Sequence, residues 1–318
     1  MPAAMRILIT GGAGFIGSHL AEAALAAGHE VRVLDSFATG RRENLQAVLD
    51  RVDLVRGDVR NLEDCDRAAR GCEAVFHLAA LPSVQRSIED PAGAHAVNGT
   101  GTVNVLEAAR VRGVRRVVYT SSSSIYGNAP ALPKREDHPP EPVSPYAASK
   151  LAGEFYGWVF AASLGVEVVT LRFFNVFGPR QDPDSPYAAV IPIFVRALKA
   201  GKAPTIFGDG GQTRDFTYVE NIVMALMAAA VAPEAKANGK VFNVACGQRT
   251  SLNALYAGLQ KLAGRDIPAV YAPARAGEVR DSQADISAAK AALGWAPTVP
   301  TEEGLKRTWA AAPAGATA

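Results

Sequence analysis

Tyr146 and Lys150, four positions apart, are the residues of this 318-residue chain whose types and spacing most suggest chemistry. Side chains four apart lie on one face of a helix, so an ammonium group can sit beside a phenol oxygen. A positive charge about 5 Å away, at an effective dielectric of about 20, favours the phenolate by roughly 3 kcal/mol, or about two pH units. Tyr146 is therefore predicted to have a lowered pKa and to act as a general base on a hydroxyl whose carbon loses hydride.

A glycine turn upstream gives this pair a context, because an isolated tyrosine and lysine at this spacing are more often an exposed helical pair. Residues 5–10 predict a short buried strand and residues 15–27 an alanine-rich helix, with Gly11, Gly14 and Gly17 at the turn between them. Glycine allows the backbone to approach a pyrophosphate, and a helix N-terminus offers unpaired N–H groups. The turn predicts a dinucleotide site.

An acidic residue indicates which dinucleotide this site takes. The second predicted strand, 30–34, ends at Asp35, 18 residues after Gly17. A carboxylate there can accept hydrogen bonds from both adenosine ribose hydroxyls and repels a 2′-phosphate, which favours NAD over NADP. Arg41 and Arg42 follow and could serve a 2′-phosphate, but Asp35 makes that alternative the weaker one.

The order of elements predicts an α/β fold with a doubly wound, Rossmann-type parallel sheet. The chain is divided into a NAD-binding domain, 1–175 with returning segments at about 213–250, and a smaller, discontinuous C-terminal substrate domain, 176–212 and 251–309. Residues 310–318 are predicted to be a disordered tail. The predicted strands are 5–9, 30–34, 52–56, 74–78, 115–120, 166–171 and 241–245, and the predicted helices are 15–27, 61–70, 92–112 and 147–163.

Further cofactor contacts are predicted at the carboxyl ends of the strands, where ligands bind in open α/β sheets. His77 also lies at such an end, but a histidine at a buried strand end is more often a core residue with satisfied hydrogen bonds than a catalytic imidazole. The predicted contacts are Asp58, Val59, Leu78, Ala79 and Ala80.

Composition excludes several other classes of function. A net charge of +2 implies no nucleic-acid partner, and 48% apolar residues can fill a sizeable core. Cys65, Cys72 and Cys246 have neither metal-ligand nor disulfide spacing, so no metal is predicted and the cysteines are interpreted as small buried hydrophobes. No targeting leader is recognised and the apolar run 222–232 is too short to span a bilayer, so no membrane association is expected and the protein is predicted to be cytoplasmic.

Six motifs, in order from about residue 5 to 296, give the chain a resemblance to a known family. It resembles the extended short-chain dehydrogenases/reductases, within the nucleotide-sugar 4-epimerases. The residues that carry the resemblance are 10–17 (TGGAGFIG), 121–127 (SSSSIYG), Tyr146-x-x-x-Lys150, 172–181 (RFFNVFGPRQ), 208–216 (GDGGQTRDF) and 275–278 (RAGE).

The resemblance implies that Ser122, four residues before Tyr126, is the catalytic hydroxyl beside Tyr146, with Ser123 or Ser124 assisting. For Ser121 and Ser124, hydrogen bonds to the local backbone are the serious alternative. The family's dehydratases carry Asp-Glu where this chain has Ser123 and Ser124, and its decarboxylases carry a glutamate in this stretch. Family members oxidise the sugar to a 4-keto intermediate. Without such an acid, the main reaction open to this intermediate is to be reduced again, so epimerisation is the predicted reaction.

The resemblance also implies a mechanism and further site residues. Tyr146 takes the O4 proton, NAD takes the C4 hydride, and the 4-keto sugar turns about its diphosphate to be reduced on its other face. For Phe207, ordinary core is an equal alternative, and for Arg180 a salt bridge is as plausible as a ligand contact. The implied cofactor residues add Phe15, Ile16, Asn98 and Lys150 to those above, and the implied UDP-sugar residues are Ser122, Ser123, Tyr146, Asn175, Val190, Phe207, Arg214, Arg275, Glu278 and Ser282.

By resemblance, residue 282 adjoins the 2-substituent of the sugar, and the small Ser282 favours UDP-GlcNAc/UDP-GalNAc, with UDP-glucose/UDP-galactose tolerated. The alternatives are a UDP-glucuronate 4-epimerase, a 4-keto sugar reductase and, remotely, a non-catalytic nucleotide-binding protein. Family members pair through helices that correspond to 92–112 and 147–163, so a homodimer is expected. Leu151, Phe155 and Val159 could form that interface or pack in the core.

Overall fold

The computed structural model describes residues 4–183, 188–274 and 279–313. In these residues the strands are β1 (Arg6–Thr10), β2 (Glu30–Asp35), β3 (Val52–Arg56), β4 (Ala74–His77), β5 (Arg116–Ser122), β6 (Glu167–Phe173), β7 (Val176–Phe177), β8 (Thr205–Phe207), β9 (Thr213–Arg214), β10 (Thr217–Tyr218), β11 (Lys240–Val244), β12 (Thr250–Ser251) and β13 (Val270–Ala272).

The helices surround these strands, and none in the described residues is long and apolar enough to cross a membrane. They are α1 (Phe15–Ala26), α2 (Leu62–Ala69), α3 (Val84–Glu89), α4 (Pro91–His95), α5 (Gly101–Val111), α6 (Pro145–Ser163), α7 (Val190–Lys199), α8 (Val219–Val231), α9 (Glu234–Ala237), α10 (Leu252–Ala263), α11 (Ser287–Leu293) and α12 (Thr301–Ala311).

The main sheet contains seven parallel strands in the order β3-β2-β1-β4-β5-β6-β11. The connections run outward in opposite directions from β1 and β4. The loops that follow these two strands therefore diverge and open a crevice at the carboxyl edge of the sheet. This order confirms the doubly wound prediction, and β11 rejoins the sheet beside β6 as the pattern at 241–245 predicts.

Both faces of the sheet are buried, which explains why its strands are apolar almost without alternation. Along β1, Ile7 and Ile9 face one apolar layer, formed with helices α1, α8 and α11. Leu8 faces the other, formed with α2, α5 and α6. A third apolar cluster, built from α7, α10 and α12, forms the core of the C-terminal part.

The C-terminal part differs from the predicted boundaries in two places. Residues 284–295 were assigned to the substrate domain, but Ala289, Leu293 and Trp295 pack in the first layer against the sheet. The predicted tail, 310–318, begins inside a helix because α12 continues through Ala311, and residues 314–318 lie outside the described part of the chain.

The predicted helix 92–112 is also divided in the structure. It consists of α4, a π-helical turn at Ala96–Thr100, and α5. Asp90 caps α4 by accepting the Gly93 N–H at 2.9 Å, and Pro91 occupies the first turn, where its missing N–H costs nothing. The preceding helix α3 was not predicted from the sequence.

The cysteines are free and inert. Cys65 and Cys72 are buried and Cys246 is half-buried. Burial raises the pKa of the Cys65 thiol to about 12 and that of Cys246 to about 11. They behave as small hydrophobes, as the sequence predicts.

Candidate active site

The turn between β1 and α1 is built to approach another segment closely. Gly11 has a φ of +71°, and a Cβ there would lie 2.8 Å from the backbone N of Ala79, in the loop after β4. A Cβ at Gly17 would lie 2.3 Å from the Gly11 carbonyl oxygen. No described side chain caps α1 at Gly14, and its first turn carries no acidic residue. The first N–H groups of α1, including those of Phe15 and Ile16, are thus suited to a pyrophosphate.

Asp35 is fastened to this turn. Its side chain is buried, and its carboxylate accepts the Ala13 N–H at 2.9 Å and the Phe37 N–H at 2.8 Å. Burial raises the pKa of Asp35, and these two hydrogen bonds oppose the increase. The carboxylate therefore stands at the end of β2 in a fixed orientation, where it fits the two hydroxyls of an adenosine ribose.

One of the two arginines after Asp35 is already paired with an acid. The Arg41 guanidinium pairs with Asp182 at 2.7 Å, and its backbone N–H donates to the Ala13 carbonyl. Arg42 begins a 3₁₀ turn that ends at Leu45 and is exposed. Asp35 thus remains the group suited to an adenosine ribose, which fits NAD.

The other predicted cofactor residues of this edge lie where the strands end. Asp58, after β3, pairs with Arg60 at 2.6 Å. Val59 is buried, and its carbonyl accepts a hydrogen bond from Asn104 at 2.9 Å. Leu78, Ala79 and Ala80 follow β4, opposite the glycine turn. Their contact with a cofactor stays a prediction.

His77 is a structural residue. Its Nδ1 lies 2.7 Å from Thr10 Oγ1 and its Nε2 3.0 Å from Thr102 Oγ1. Burial, with a smaller contribution from Lys150, lowers the pKa of His77 to about 3, so the ring is neutral. The interpretation of His77 as a satisfied core histidine is confirmed.

Asn98, in the π-helical turn, connects two parts of the site. Its Oδ1 accepts the Leu81 N–H at 2.8 Å, and its Nδ2 donates to Ser149 Oγ at 3.1 Å. Ser149 in turn donates to the carbonyl of Tyr146 at 2.8 Å. The resemblance implies a cofactor contact for Asn98, whereas the structure shows a buried amide that holds the loop after β4 to α6.

The structure brings Ser122 and Tyr146 together. Ser122 ends β5, and Tyr146 lies in the first turn of α6, which Ser144 caps by accepting the Ala147 N–H at 3.2 Å. The Ser122 hydroxyl shares a hydrogen bond with the Tyr146 phenol and accepts the Ser124 N–H at 3.2 Å. Of the four serines, Ser122 is therefore the one that contacts the tyrosine.

Lys150 lies one turn farther along α6 and is almost completely buried. Its Nζ donates to the Thr120 carbonyl at 2.8 Å and stands 5.1 Å from the centroid of the Tyr119 ring. Burial lowers the pKa of Lys150 to about 8, while the charge of Glu154 raises it. The side chain is therefore mostly protonated at neutral pH.

The predicted direction of the Tyr146 pKa shift is wrong for the protein alone. Burial raises the pKa of Tyr146, and the Ser122 hydrogen bond only partly offsets this. The prediction considered the Lys150 charge and left out the desolvation of the phenol, which favours its neutral form. Tyr146 is therefore a phenol at neutral pH in the cofactor-free protein.

A buried acid lies behind the serines and was missed by the sequence analysis. Ser121 donates a hydrogen bond to the Glu154 carboxylate, which also pairs with Arg172 of β6 at 2.7 Å. The signal available was position, since Glu154 follows Lys150 by four residues on the same helical face. Ser124 is explained locally because its hydroxyl lies 2.9 Å from that of Ser122.

Three of the residues assigned to the UDP-sugar lie around β9. Asn175, with a φ of +30°, donates to the Asp215 carbonyl at 3.3 Å. Arg214 donates to the carbonyls of Thr213 and Arg280. The N–H of Ser282 donates to the Thr213 carbonyl at 3.1 Å, and its side chain is 9% exposed.

Two further residues assigned to the UDP-sugar lie at the ends of other elements. Val190 begins α7 and Phe207 ends β8, and both are half-buried. Arg275 and Glu278 lie outside the described residues. Arg180 pairs with Glu22 of α1 at 2.7 Å, so the structure shows the salt bridge between the two parts that was one of its two interpretations.

Asp215 organises the floor of this region and was not singled out from the sequence. Its carboxylate accepts the N–H groups of Cys246, Gly247 and Ala284 at 3.0, 3.0 and 3.1 Å. Burial raises the pKa of Asp215 to about 6 against the effect of these hydrogen bonds. The residue ties β9 to the end of β11 and to the segment after Ser282.

A crevice that presents helix N–H groups to a pyrophosphate, next to a tyrosine that can exchange a hydroxyl proton, is what an NAD-dependent enzyme needs to move hydride to and from a carbinol carbon. The sequence agrees with this class. The chain belongs to the NAD dependent epimerase/dehydratase family, whose sequence profile matches residues 7–245.

Individual relatives are similar over nearly the whole length. The chain is 42% identical to the UDP-glucose 4-epimerase of Mycolicibacterium smegmatis, covering 96% of this chain and 97% of the relative. The UDP-N-acetylglucosamine 4-epimerase of Methanobrevibacter ruminantium, solved with UDP-N-acetylmuramic acid, superposes with a TM-score of 0.92 at 36% identity, covering 97% and 98%. The UDP-glucose 4-epimerase of Thermus thermophilus, solved with NAD, gives 0.87 at 39% identity, covering 96% and 98%.

Proposed function

We propose that this enzyme is a 4-epimerase of UDP-sugars, acting on UDP-GlcNAc/UDP-GalNAc and accepting UDP-glucose/UDP-galactose. The observation that carries the proposal is the hydrogen bond between Ser122 and Tyr146. The two residues after Ser122 in the sequence, Ser123 and Ser124, are uncharged. The relatives named for UDP-glucose and UDP-N-acetylglucosamine 4-epimerisation support it.

The cofactor residues fit NAD, and NAD when bound supplies the hydride acceptor and donor for C4 of the sugar. Tyr146, as the phenolate, receives the O4 proton. It returns that proton when the carbonyl is reduced, so no net proton is consumed. Ser122 hydrogen bonds both the phenol and O4. Because burial raises the pKa of Tyr146, ionisation requires nearby positive charge, and Lys150 contributes part of that charge below about pH 8.

The reaction returns to an alcohol because the serine turn contains no acid. Loss of water requires a side chain that protonates or deprotonates the substrate away from O4, and the proposed substrates carry no carboxyl group to lose. Ser123 and Ser124 form a 3₁₀ turn that offers hydroxyls only. The 4-keto sugar therefore turns about its diphosphate linkage, while the nucleotide stays bound, and is reduced on its other face.

The first test uses purified protein without added reductant. UDP-GlcNAc, UDP-glucose and UDP-glucuronate are incubated separately, and the products are resolved by NMR of the anomeric proton. We expect the 4-epimers of the first two. Tyr146→Phe should abolish turnover, whereas Tyr156→Phe, a 45% exposed tyrosine of the same helix, should not. In a separate assay with added NAD(P)H, its net consumption would instead indicate a reductase, and turnover by Tyr146→Phe would refute the mechanism.

The preference for a 2-acetamido sugar rests on the small side chain at position 282. Ser282→Tyr should abolish activity on UDP-GlcNAc and retain it on UDP-glucose, because a phenol there occupies the space of the acetamido group. The ratio of kcat/KM for the two sugars measures this. An unchanged ratio would contradict the assignment of residue 282 and leave the epimerase proposal intact.

A homodimer through α6 is the second part of the proposal. Phe155 and Trp158 are 61% and 60% exposed on α6, and Val159 is exposed beside them. Leu151 instead packs against the first apolar layer, so it follows the core alternative. A second copy of this chain would cover the exposed stripe. Trp158→Glu should convert a dimer to a monomer in light scattering, and a wild-type monomer would refute the interface.

A further inference from the structure

Glu154 lies two helical turns beyond Tyr146 and one beyond Lys150, on the same face of α6. Its side chain is 5% exposed. Oε1 accepts from Arg172 Nε at 3.0 Å and from the Ser121 hydroxyl, and Oε2 accepts from Arg172 Nη2 at 2.7 Å. The carboxylate is thus bound to β6 through an arginine and to β5 through the residue adjacent to Ser122.

Among the residues that the structure describes, few others bring a charge near Lys150. His77 of β4 is neutral because burial lowers its pKa to about 3. Tyr119 of β5 and Tyr146 of α6 are neutral phenols because burial raises the pKa of each. Arg172 of β6 is a cation that pairs with Glu154 at 2.7 Å.

Glu154 therefore provides the negative charge that favours the protonated form of Lys150. Burial lowers the pKa of Lys150 to about 8, and among the described residues Glu154 is the one whose charge is found to oppose that effect. Without this carboxylate, Arg172 would lose its partner and, in the described part of the chain, no other anion is found to raise the pKa of Lys150. The readily titrated group is the lysine, since a guanidinium keeps its proton.

We propose that Glu154 is a positioning residue for the reaction: its carboxylate maintains the positive charge of Lys150 and, through Ser121, holds the end of β5 so that Ser122 meets Tyr146. The kinetic consequence rests on the proposed epimerase function. The charge and the hydrogen bonds belong to the protein and can be tested without it.

The opposite end of the same two strands supplies a matched control. Arg116 and Glu167 are partners in the register of β5 and β6, as are Ser121 and Arg172. Arg116 is 1% exposed and donates to Glu167 Oε2 at 2.6 Å. Glu167→Gln therefore removes a carboxylate from a comparable buried arginine pair at the edge of the sheet away from Tyr146.

The test compares Glu154→Gln with Glu167→Gln by two measurements. In protein labelled with 13C at lysine Cε, the Lys150 signal, assigned by its loss in Lys150→Arg, reports the lysine titration directly. We expect its midpoint to fall by about one pH unit or more in Glu154→Gln and to stay in place in Glu167→Gln. The pH profile of kcat for UDP-glucose should show its basic limb displaced by the same amount, with KM within about twofold.

Ser121→Ala provides a second variant, should Glu154→Gln fail to fold. It retains the carboxylate and removes one hydrogen bond at the end of β5, so the Lys150 midpoint should not move while kcat falls by about three- to tenfold. An unchanged kcat in Ser121→Ala, or a Lys150 midpoint that is the same in Glu154→Gln and the wild type, would overturn the proposal. If no UDP-sugar is turned over, the lysine titration still decides it.

Discussion

Replacing Ser122 by alanine tests the arrangement on which the proposed chemistry depends. The change removes one hydroxyl oxygen at the end of β5 and leaves the backbone free to keep its extended conformation, φ −143° and ψ 146°. Two residues lose a partner. One is Tyr146, through its phenol, and the other is Ser124, whose N–H and hydroxyl lie 3.2 and 2.9 Å from Ser122 Oγ.

The two losses differ in size. A hydroxyl that contacts the oxygen at which charge develops contributes like one donor of an oxyanion hole, about 10²- to 10³-fold in kcat. The lost cap of a short 3₁₀ turn costs about 1 kcal/mol of the free energy of unfolding. Ser122→Ala should therefore fold normally and lose at least about a hundredfold in kcat.

The assay follows epimerisation of UDP-glucose by NMR and unfolding by urea. Ser124→Ala is the control, because it removes the hydroxyl 2.9 Å from Ser122 Oγ and leaves the bond to Tyr146 in place. Its kcat should stay within about threefold of wild type. If Ser124→Ala lost as much activity as Ser122→Ala, or if Ser122→Ala stayed within threefold of wild type, the assignment of Ser122 would be refuted.

Three further predictions concern the cofactor site and the buried lysine. Gly17→Ala places a methyl group 2.3 Å from the Gly11 carbonyl oxygen. NAD binding, measured by calorimetry, should weaken by at least about tenfold, and an unchanged affinity would contradict the assignment of the glycine turn to NAD. Asp35→Asn should weaken NAD binding by about tenfold while reducing discrimination against NADP, which competitive titration of the two dinucleotides measures. The pKa of Lys150, about 8 in the folded protein, lies below its ordinary value of 10.5, so the unfolded chain binds more protons between these pH values. The free energy of unfolding should therefore rise with pH across this window in wild type relative to Lys150→Met, and a constant difference between the two urea-unfolding series would show that the lysine is not perturbed.

The sequence determined the framework of the protein and the members of its proposed catalytic pair, Tyr146 and Lys150. The strand-turn-helix order around Gly11 and Gly17, the acid at the end of β2 and the four-residue spacing of Tyr146 and Lys150 are local patterns. Each pattern depends on residues that are close along the chain. Over such short separations, the geometry of the backbone determines where the side chains point. For the same reason the parallel sheet could be predicted from alternating apolar segments.

Tertiary structure decided the charges of the site and the supports behind it. Ser121 meets Glu154 across 33 positions and Asp215 meets Ala284 across 69, distances over which no sequence periodicity extends. The pKa of Tyr146 moved in the direction opposite to prediction, because the loss of water around a buried phenol depends on every element packed against it. The spacing of two residues fixes which groups can meet, whereas the dielectric around them is a property of the assembled fold.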